Sequence, residues 1–579
     1  MKVKGSSMVM VNNRVAHGGE LVDLLVSKNR EEELRTLSLG LHSLTLSFQQ
    51  LCDLELLING AFSPLRGFLT RADYESVLER MRLTNGNLWP IPVCLDVTEK
   101  EVECLQVGQS VVLRDVEGFL LAVLHIEDVW PIPKDREAEK VYGCKDHHHP
   151  GVDYLYNRMG THYVGGRIEG IRLPYHFDFK RLRLTPAEAR NTYGRLGWRR
   201  VVGFQTRNPL HKAQYEMTLS AMGIARANLL LHPIVGRSVP GDIDHCTRVR
   251  CLIETSRYYP PNMMLINLLP LAVRMAGPRE TLWHAIIHKN YGCTHFIIGR
   301  DHAGPGVHPN GQPFYPPGAT KELLEAFRDE VGISILAFQE MVYFPEEDSY
   351  VPLSSVPPGQ EKRSLSGTEL RRRLRAGKDI PSWFTFPEVV AELKTEYPPR
   401  HQQGFTVFCT GLSGAGKSTI ARVLYARFLE MGRRPVTLLD GDIVRRYLSS
   451  ELGFSKSDRD LNVQRIGFVA CEITKSRGIV ICAPIAPYAA TRRQIRQRIE
   501  AYGGFIEVYV ATPLDICELR DCKGLYAKAR AGLIPNFTGV DDPYEAPENP
   551  EVEIDTTNLT PDEAAQEILL YLERVGYIR

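Results

Sequence analysis

Hydrophobic and polar positions divide the chain into three stretches. From residue 1 to 180, short apolar runs alternate with turn residues. Residues 91–97, 111–113 and 119–124 read as strands, and 32–57 and 71–81 read as helical. This predicts a mixed, strand-rich domain. From 181 to 395, strands alternate with helices. Residues 200–204 form a strand that feeds a polar loop, and 211–222 form a helix. Residues 227–232 and 263–268 are strands, 283–290 a helix, and 294–299 a strand again. Such alternation predicts a parallel sheet covered by helices, with ligands beyond the carboxyl ends of its strands. Residues 396–404 are polar and marked by Pro398-Pro399, as expected of a linker. A strand at 405–409 then opens a second α/β pattern that runs to 579. The fold class is α/β multidomain.

Composition narrows the function classes. With 579 residues, the length prior is about four domains. Lys and Arg total 70 against 69 Asp and Glu, which argues against a bulk nucleic-acid binder. No apolar run approaches the roughly 20 residues that span a bilayer, and residues 1–25 are too polar for a secretory signal. A cytoplasmic protein with no membrane or nucleic-acid partner is expected. The 12 cysteines are scattered without a C-x-x-C pair, which excludes a disulfide scaffold and a zinc ribbon. Cys144 with His147, His148 and His149 reads as a solvated histidine run rather than a metal site.

The sharpest motif is Gly411-Leu412-Ser413-Gly414-Ala415-Gly416-Lys417-Ser418-Thr419, between an apolar strand and a helix. This is the phosphate-loop pattern G-x-x-x-x-G-K-[ST]. Its backbone N–H groups close on phosphates, Lys417 neutralises them, and Ser418 can hold Mg²⁺. Chain order puts Asp440 and Asp442 at the end of the neighbouring strand. There they can position Mg²⁺-bound water and accept a proton, and the pattern does not divide these jobs between them. Arg445, Arg459 and Arg465 suit an anionic acceptor.

With Leu452-Gly453-Phe454-Ser455, Asp458-Arg459, Asn462, Lys523-Gly524-Leu525-Tyr526 and Phe537-Thr538-Gly539, residues 405–579 resemble adenylylsulfate (APS) kinase. The resemblance implies a P-loop NTPase fold and γ-phosphoryl transfer from ATP to the 3′-hydroxyl of APS, giving PAPS. It implies Arg445, Arg459, Asn462, Ile485 and Lys523 on APS, with Phe454 and Phe537 stacking on its adenine. Two positions depart from the family: Ile443 replaces an asparagine, and Ala486 replaces a serine. Alanine excludes a phosphoserine mechanism there.

The central loop is Gln205-Thr206-Arg207-Asn208-Pro209-Leu210-His211-Lys212-Ala213-Gln214. Arg207 is suited to grip an oxyanion and His211 to stabilise charge on phosphorus. The loop joins Gly299-Arg300-Asp301-His302-Ala303-Gly304, Pro240-Gly241-Asp242, Ser366-Gly367-Thr368 and Met341-Val342-Tyr343 in resembling ATP sulfurylase over about 20–380. That implies a PUA-like N-terminal domain and a Rossmann-like nucleotidyltransferase. Sulfate attacks the α-phosphorus of ATP and pyrophosphate leaves. Gln205, Arg207 and Ala303 are implied on sulfate. Gln205, Thr206, Arg207, Asn208, His211, Gly299, Arg300, Asp301, His302 and Val342 are implied on ATP. Thr206, Arg207, Asn208, His211 and Gln214 are the implied catalytic set, as are Lys417, Asp440 and Asp442 in the kinase. Gln214 stands where the family has a second histidine, so sulfurylase activity is expected to be reduced but present.

Together these readings imply a bifunctional sulfate-activating enzyme, sulfurylase first and kinase second. Two alternatives stay open: a non-catalytic, PAPS-binding C-terminal module, and a sulfurylase running backward to make ATP. Mg²⁺ with ATP, no tightly bound organic cofactor, and a homo-oligomer (dimer or hexamer) are expected. The partners are ATP, sulfate, APS, pyrophosphate and PAPS.

Overall fold

A computed structural model describes residues 15–236, 243–299, 301–521 and 523–579. The first sheet has six strands. Ser43–Thr45 pairs in parallel with Ser110–Arg114, and the remaining pairings are antiparallel. Its spine is the long pairing of Leu120–Pro131 with His162–Gly170, bulged between Ile126 and Asp128. Two sequence expectations need correction here. Residues 32–57 are not one helix: Lys28–Leu37 and Phe48–Ile58 flank the strand Ser43–Thr45. Gly40 closes a turn on Leu37, and Ser47 starts the second helix with a capping box to Gln50. Of residues 91–97, Leu95–Val97 pairs as a strand, because Pro92 has no N–H to give a ladder.

The histidine run is also not simply solvated. His149 is fully buried, and its Nδ1 accepts the N–H groups of Gly151 and Val152 to cap the helix Pro150–Asn157.

The second sheet is wholly parallel. Its order is Ser334–Ala337, His295–Ile298, Val201–Thr206, Asn228–Pro233 and Met264–Ile266. Leu229, Leu230 and Leu231 are all fully buried, as expected of a strand covered on both faces. The helix Lys212–Ala225 follows the central strand, with His211 as its N-cap. A separate hairpin pairs Met341–Phe344 with Ser349–Pro352.

The third sheet is parallel as well, in the order Val436–Asp440, Ile479–Ala483, Phe405–Thr410, Gly504–Val510 and Val552–Ile554. The Asp440 strand is therefore one removed from the phosphate-loop strand, not its neighbour. A later strand, Ile479–Ala483, fills the slot between them. Every residue of Phe405–Thr410 is buried. By internal packing the chain forms two units. Among the described residues, one falls within 1–366 and 380–396, and the other within 367–379 and 397–579. The helix Gly367–Arg375 thus groups with the last sheet and buries Leu370 and Leu374.

Candidate active sites

The phosphate loop leaves Thr410 and turns into the helix Lys417–Met431. Gly411, Gly414 and Gly416 take φ of +145°, +76° and +101°, which β-carbon-bearing residues rarely adopt. A Cβ at Gly411 would also meet the Val510 carbonyl at 2.5 Å. Thr512 and Thr556 hydroxyls donate to the Ala415 carbonyl, and Tyr526 donates to that of Ser413 at 2.9 Å. Inside this cradle Lys417 is 6% exposed, and its Nζ donates to the carbonyls of Gly411 (2.9 Å) and Leu412 (2.6 Å). Burial lowers its pKa to about 8. Ser418 is half-buried and Thr419 exposed at the helix start.

The other kinase candidates gather around this loop. Asp440 is buried and caps the next helix by accepting the Asp442 N–H at 3.0 Å. Asp442 forms an ion pair with Lys523. Both Asp440 and Lys523 lie within electrostatic reach of Lys417. Arg445 lies 4.5 Å over the Phe454 ring and feels the charges of Arg459 and Asp442. Phe454 is 59% exposed, so it is not a core residue. Phe537 is half-buried and packs edge-on to Tyr526. Asn462 is buried with its Oδ1 unpartnered among the described residues. The Ile485 carbonyl accepts the Thr410 hydroxyl at 2.7 Å, which ties residue 485 to the loop. Arg459 is already engaged by Asp542 (2.6 Å), Thr538 (2.6 Å) and the Asn536 carbonyl, so it pins the segment 536–542. Ser418, Asp440 and Asp442 each offer oxygen donors, which suit a hard cation such as Mg²⁺.

The second site crowns the strand Val201–Thr206. The Thr206 hydroxyl accepts the Asn208 N–H and donates to the Asn208 carbonyl, both at 3.0 Å, which shapes the loop. The Arg207 carbonyl accepts from the buried Arg248 at 2.5 Å, and Arg207 Nη1 is buried without a partner among the described residues. Arg207 and His302 lie within electrostatic reach of each other. Gln205 is 7% exposed. Its Nε2 contacts His284 Nδ1 at 3.0 Å, and its Oε1 has no partner among the described residues. His302 Nε2 reaches the same His284 nitrogen at 3.1 Å, so one buried imidazole links the sulfate and ATP candidates. Burial keeps His302 well below the ordinary histidine range.

His211 contacts Thr385 through Nδ1 and lies against Phe384, and burial lowers its pKa to about 4. Gln214 Oε1 accepts the His211 N–H at 3.2 Å, so this glutamine braces the loop from the helix. Ala303 takes φ +57°, and its carbonyl accepts the Gly277 N–H at 3.0 Å. Gly299 and Asp301 are exposed on the strand's exit, and Val342 is buried in its hairpin. Arg300 and Pro240–Asp242 lie outside the described residues.

The pair Trp283-His284 is among the residues that resemble ATP sulfurylase, but sequence reasoning gave His284 no role, and it missed Phe384 and Thr385, which no local motif announces. It also missed Asp146, which takes His148 Nδ1 and His308 Nε2 on its two oxygens, each at 2.9 Å. His308 Nδ1 accepts the Asn310 N–H, so its proton points at Asp146 where a metal would need a lone pair. A second group is Asp178, His245 and Cys246. There both Asp178 oxygens already accept from Arg183 Nη2.

Comparison with known proteins follows this division. Family models match residues 14–173 (PUA-like domain), 180–396 (ATP-sulfurylase) and 403–555 (adenylylsulphate kinase). The sulfate adenylyltransferase of Phaeosphaeria nodorum is 49% identical over 566 residues, spanning 97% of this chain and 99% of its own. That of Aspergillus fumigatus is also 49% identical, spanning 97% and 98%. The chain belongs to the sulfate adenylyltransferase family. It also resembles the solved hexameric APS kinase from Thiobacillus denitrificans, at 43% identity and a TM-score of 0.80, covering 98% of this chain and 100% of the other. The expected PUA-like, nucleotidyltransferase and P-loop folds are borne out. The chain is an enzyme that joins a sulfate adenylyltransferase to an APS kinase domain. Among the described residues no helix is long and apolar enough to cross a membrane.

Proposed function

We propose that the two sites act in sequence, the first making APS from ATP and sulfate and the second phosphorylating it to PAPS. Sulfurylase chemistry is assigned to residues 1–395 and kinase chemistry to 405–579, joined by the linker 396–404. The observation that carries this reading is the complete phosphate cradle. Lys417 is buried within it and Asp440 is in reach, in the same chain as the 205–214 loop. A module that only senses PAPS has no need of a triphosphate cradle with its lysine.

At the first site Arg207, Gln205 and the Ala303 backbone bind sulfate. Thr206, Asn208, Gly299, Arg300, Asp301, His302 and the Val342 backbone hold ATP. His211 is neutral in its buried position and donates a hydrogen bond to the charge that grows on the α-phosphate. Gln214 supplies an amide in place of a second imidazole. At the second site the loop 411–419 holds ATP. Asp440 and Asp442 orient the 3′-hydroxyl and receive its proton. Arg445, Asn462 and Lys523 bind the anion, and Phe454 and Phe537 flank the adenine. Arg459 joins them once it exchanges its contacts with 536–542. Ser418 and the two carboxylates would hold Mg²⁺, which supplies charge neutralisation on the phosphates when bound. Forming the sulfate–phosphate anhydride is uphill, and phosphorylation of APS draws it forward. The 11 described cysteines are all free thiols, which supports a reducing, cytoplasmic setting. The solved hexameric relative supports a homo-oligomer.

The test is direct. Purified protein given ATP and APS should yield PAPS, and given ATP and sulfate it should release pyrophosphate. Pyrophosphate release without PAPS formation would refute the kinase half. The reverse would refute the sulfurylase half.

A further inference from the structure

Residues 381–386 form a platform under the sulfurylase loop. The Phe384 N–H closes a turn on the Pro381 carbonyl at 3.0 Å. Trp383 stacks on Tyr343 at 5.4 Å, beside Val342. The Phe384 ring lies 4.3 Å from the His211 ring, and the Phe384 carbonyl accepts the Lys212 N–H at 3.1 Å. Phe386 packs against Tyr215 and Tyr258. Held between these anchors, Thr385 is 1% exposed and its Oγ1 lies 3.0 Å from His211 Nδ1.

The direction of that hydrogen bond follows from burial. A neutral imidazole has one N–H and one lone pair. If Nδ1 carried the proton, it would donate to the Thr385 oxygen, and the buried hydroxyl hydrogen would have no acceptor among the described residues. Leaving a buried donor unpaired is costly. If the hydroxyl donates to Nδ1, both of these groups are satisfied and the imidazole proton resides on Nε2. That nitrogen is the one not engaged by Thr385.

We propose that Thr385 is a positioning residue for the sulfurylase reaction, fixing His211 as the Nε2–H tautomer and aiming that donor at the reacting phosphate. The inference rests on the role given to His211 above. It requires an effect on turnover rather than on substrate binding, because the donor matters most when charge develops on phosphorus.

The experiment compares T385V, T385S and H211A in sulfate-dependent pyrophosphate release, with ATP and sulfate each varied. T385V keeps shape and loses the donor. Its kcat should fall about tenfold, with both KM values within about twofold of wild type. T385S retains the hydroxyl and should recover most of the rate. T385V at wild-type kcat, or T385S as slow as T385V, would overturn the proposal. So would a rise in KM without loss of kcat. If H211A is inactive while T385V is fully active, the Thr385 inference alone fails. If H211A is itself fully active, the reading of His211 fails with it.

Discussion

Replacing Lys417 with alanine should slow PAPS formation by about 10²–10³-fold and leave sulfate-dependent pyrophosphate release intact. The free site already disfavours the ammonium: burial lowers its pKa from 10.5 to about 8. That corresponds to about 3 kcal/mol against the charged form. Two loop carbonyls hold the ammonium until a triphosphate brings compensating negative charge. Losing such a charge-stabilising donor costs about 10²–10³ in kcat. The same depression sets the pH profile. Above about pH 8 the free enzyme loses the proton that phosphate recognition needs. The kinase kcat/KM for ATP should therefore fall about tenfold per pH unit there. Stability moves the opposite way. The folded unit binds fewer protons than the unfolded chain between pH 8 and 10.5, so this lysine's contribution to stability grows as pH rises through that window. The assay follows PAPS from APS and ATP across pH 7–10, with pyrophosphate release as the internal control. Wild-type PAPS production by the alanine variant, or a flat profile through pH 8, would refute the assignment of this cradle.

Arg207→Ala should abolish sulfate-dependent pyrophosphate release while the kinase assay stays normal; full retention would remove Arg207 from the sulfate pocket. Gln214→His restores a ring able to take a proton and should raise sulfurylase turnover by about tenfold or more. It should also weaken the helix start by about 1 kcal/mol, because Gln214 braces the His211 N–H. Unchanged turnover would remove the argument that the second imidazole matters. Asp542→Ala breaks the part-buried pair with Arg459 and releases Tyr488, at about 1.5–3 kcal/mol of local stability. Its expected signature is a raised KM for APS with the KM for ATP unchanged, read from kinase kinetics.

What the sequence made legible was local. The phosphate loop, the 205–214 loop and the alternating strands each occupy a short window, and each appears where its pattern predicts. Groups that depend on distant partners were hidden. Thr385 meets His211 across 174 positions, and His148 meets His308 through Asp146 with no shared motif. The misread helix at 32–57 had a local cue: Gly40 and the Ser47–Gln50 capping pair mark its interruption, but the apolar periodicity outweighed them. The placement of Asp440 went astray for a topological reason. Strand adjacency in a parallel sheet is decided by crossovers, which chain order does not reveal.

The path of residues 367–379 has a practical consequence for anyone dissecting the two activities. A truncation at the polar stretch near 396 would carry the Gly367–Arg375 helix away with the wrong half. A kinase fragment begun at 405 would lack the same helix. Expressing either half as a clean module calls for a graft that moves this helix with its own companions, not a single cut.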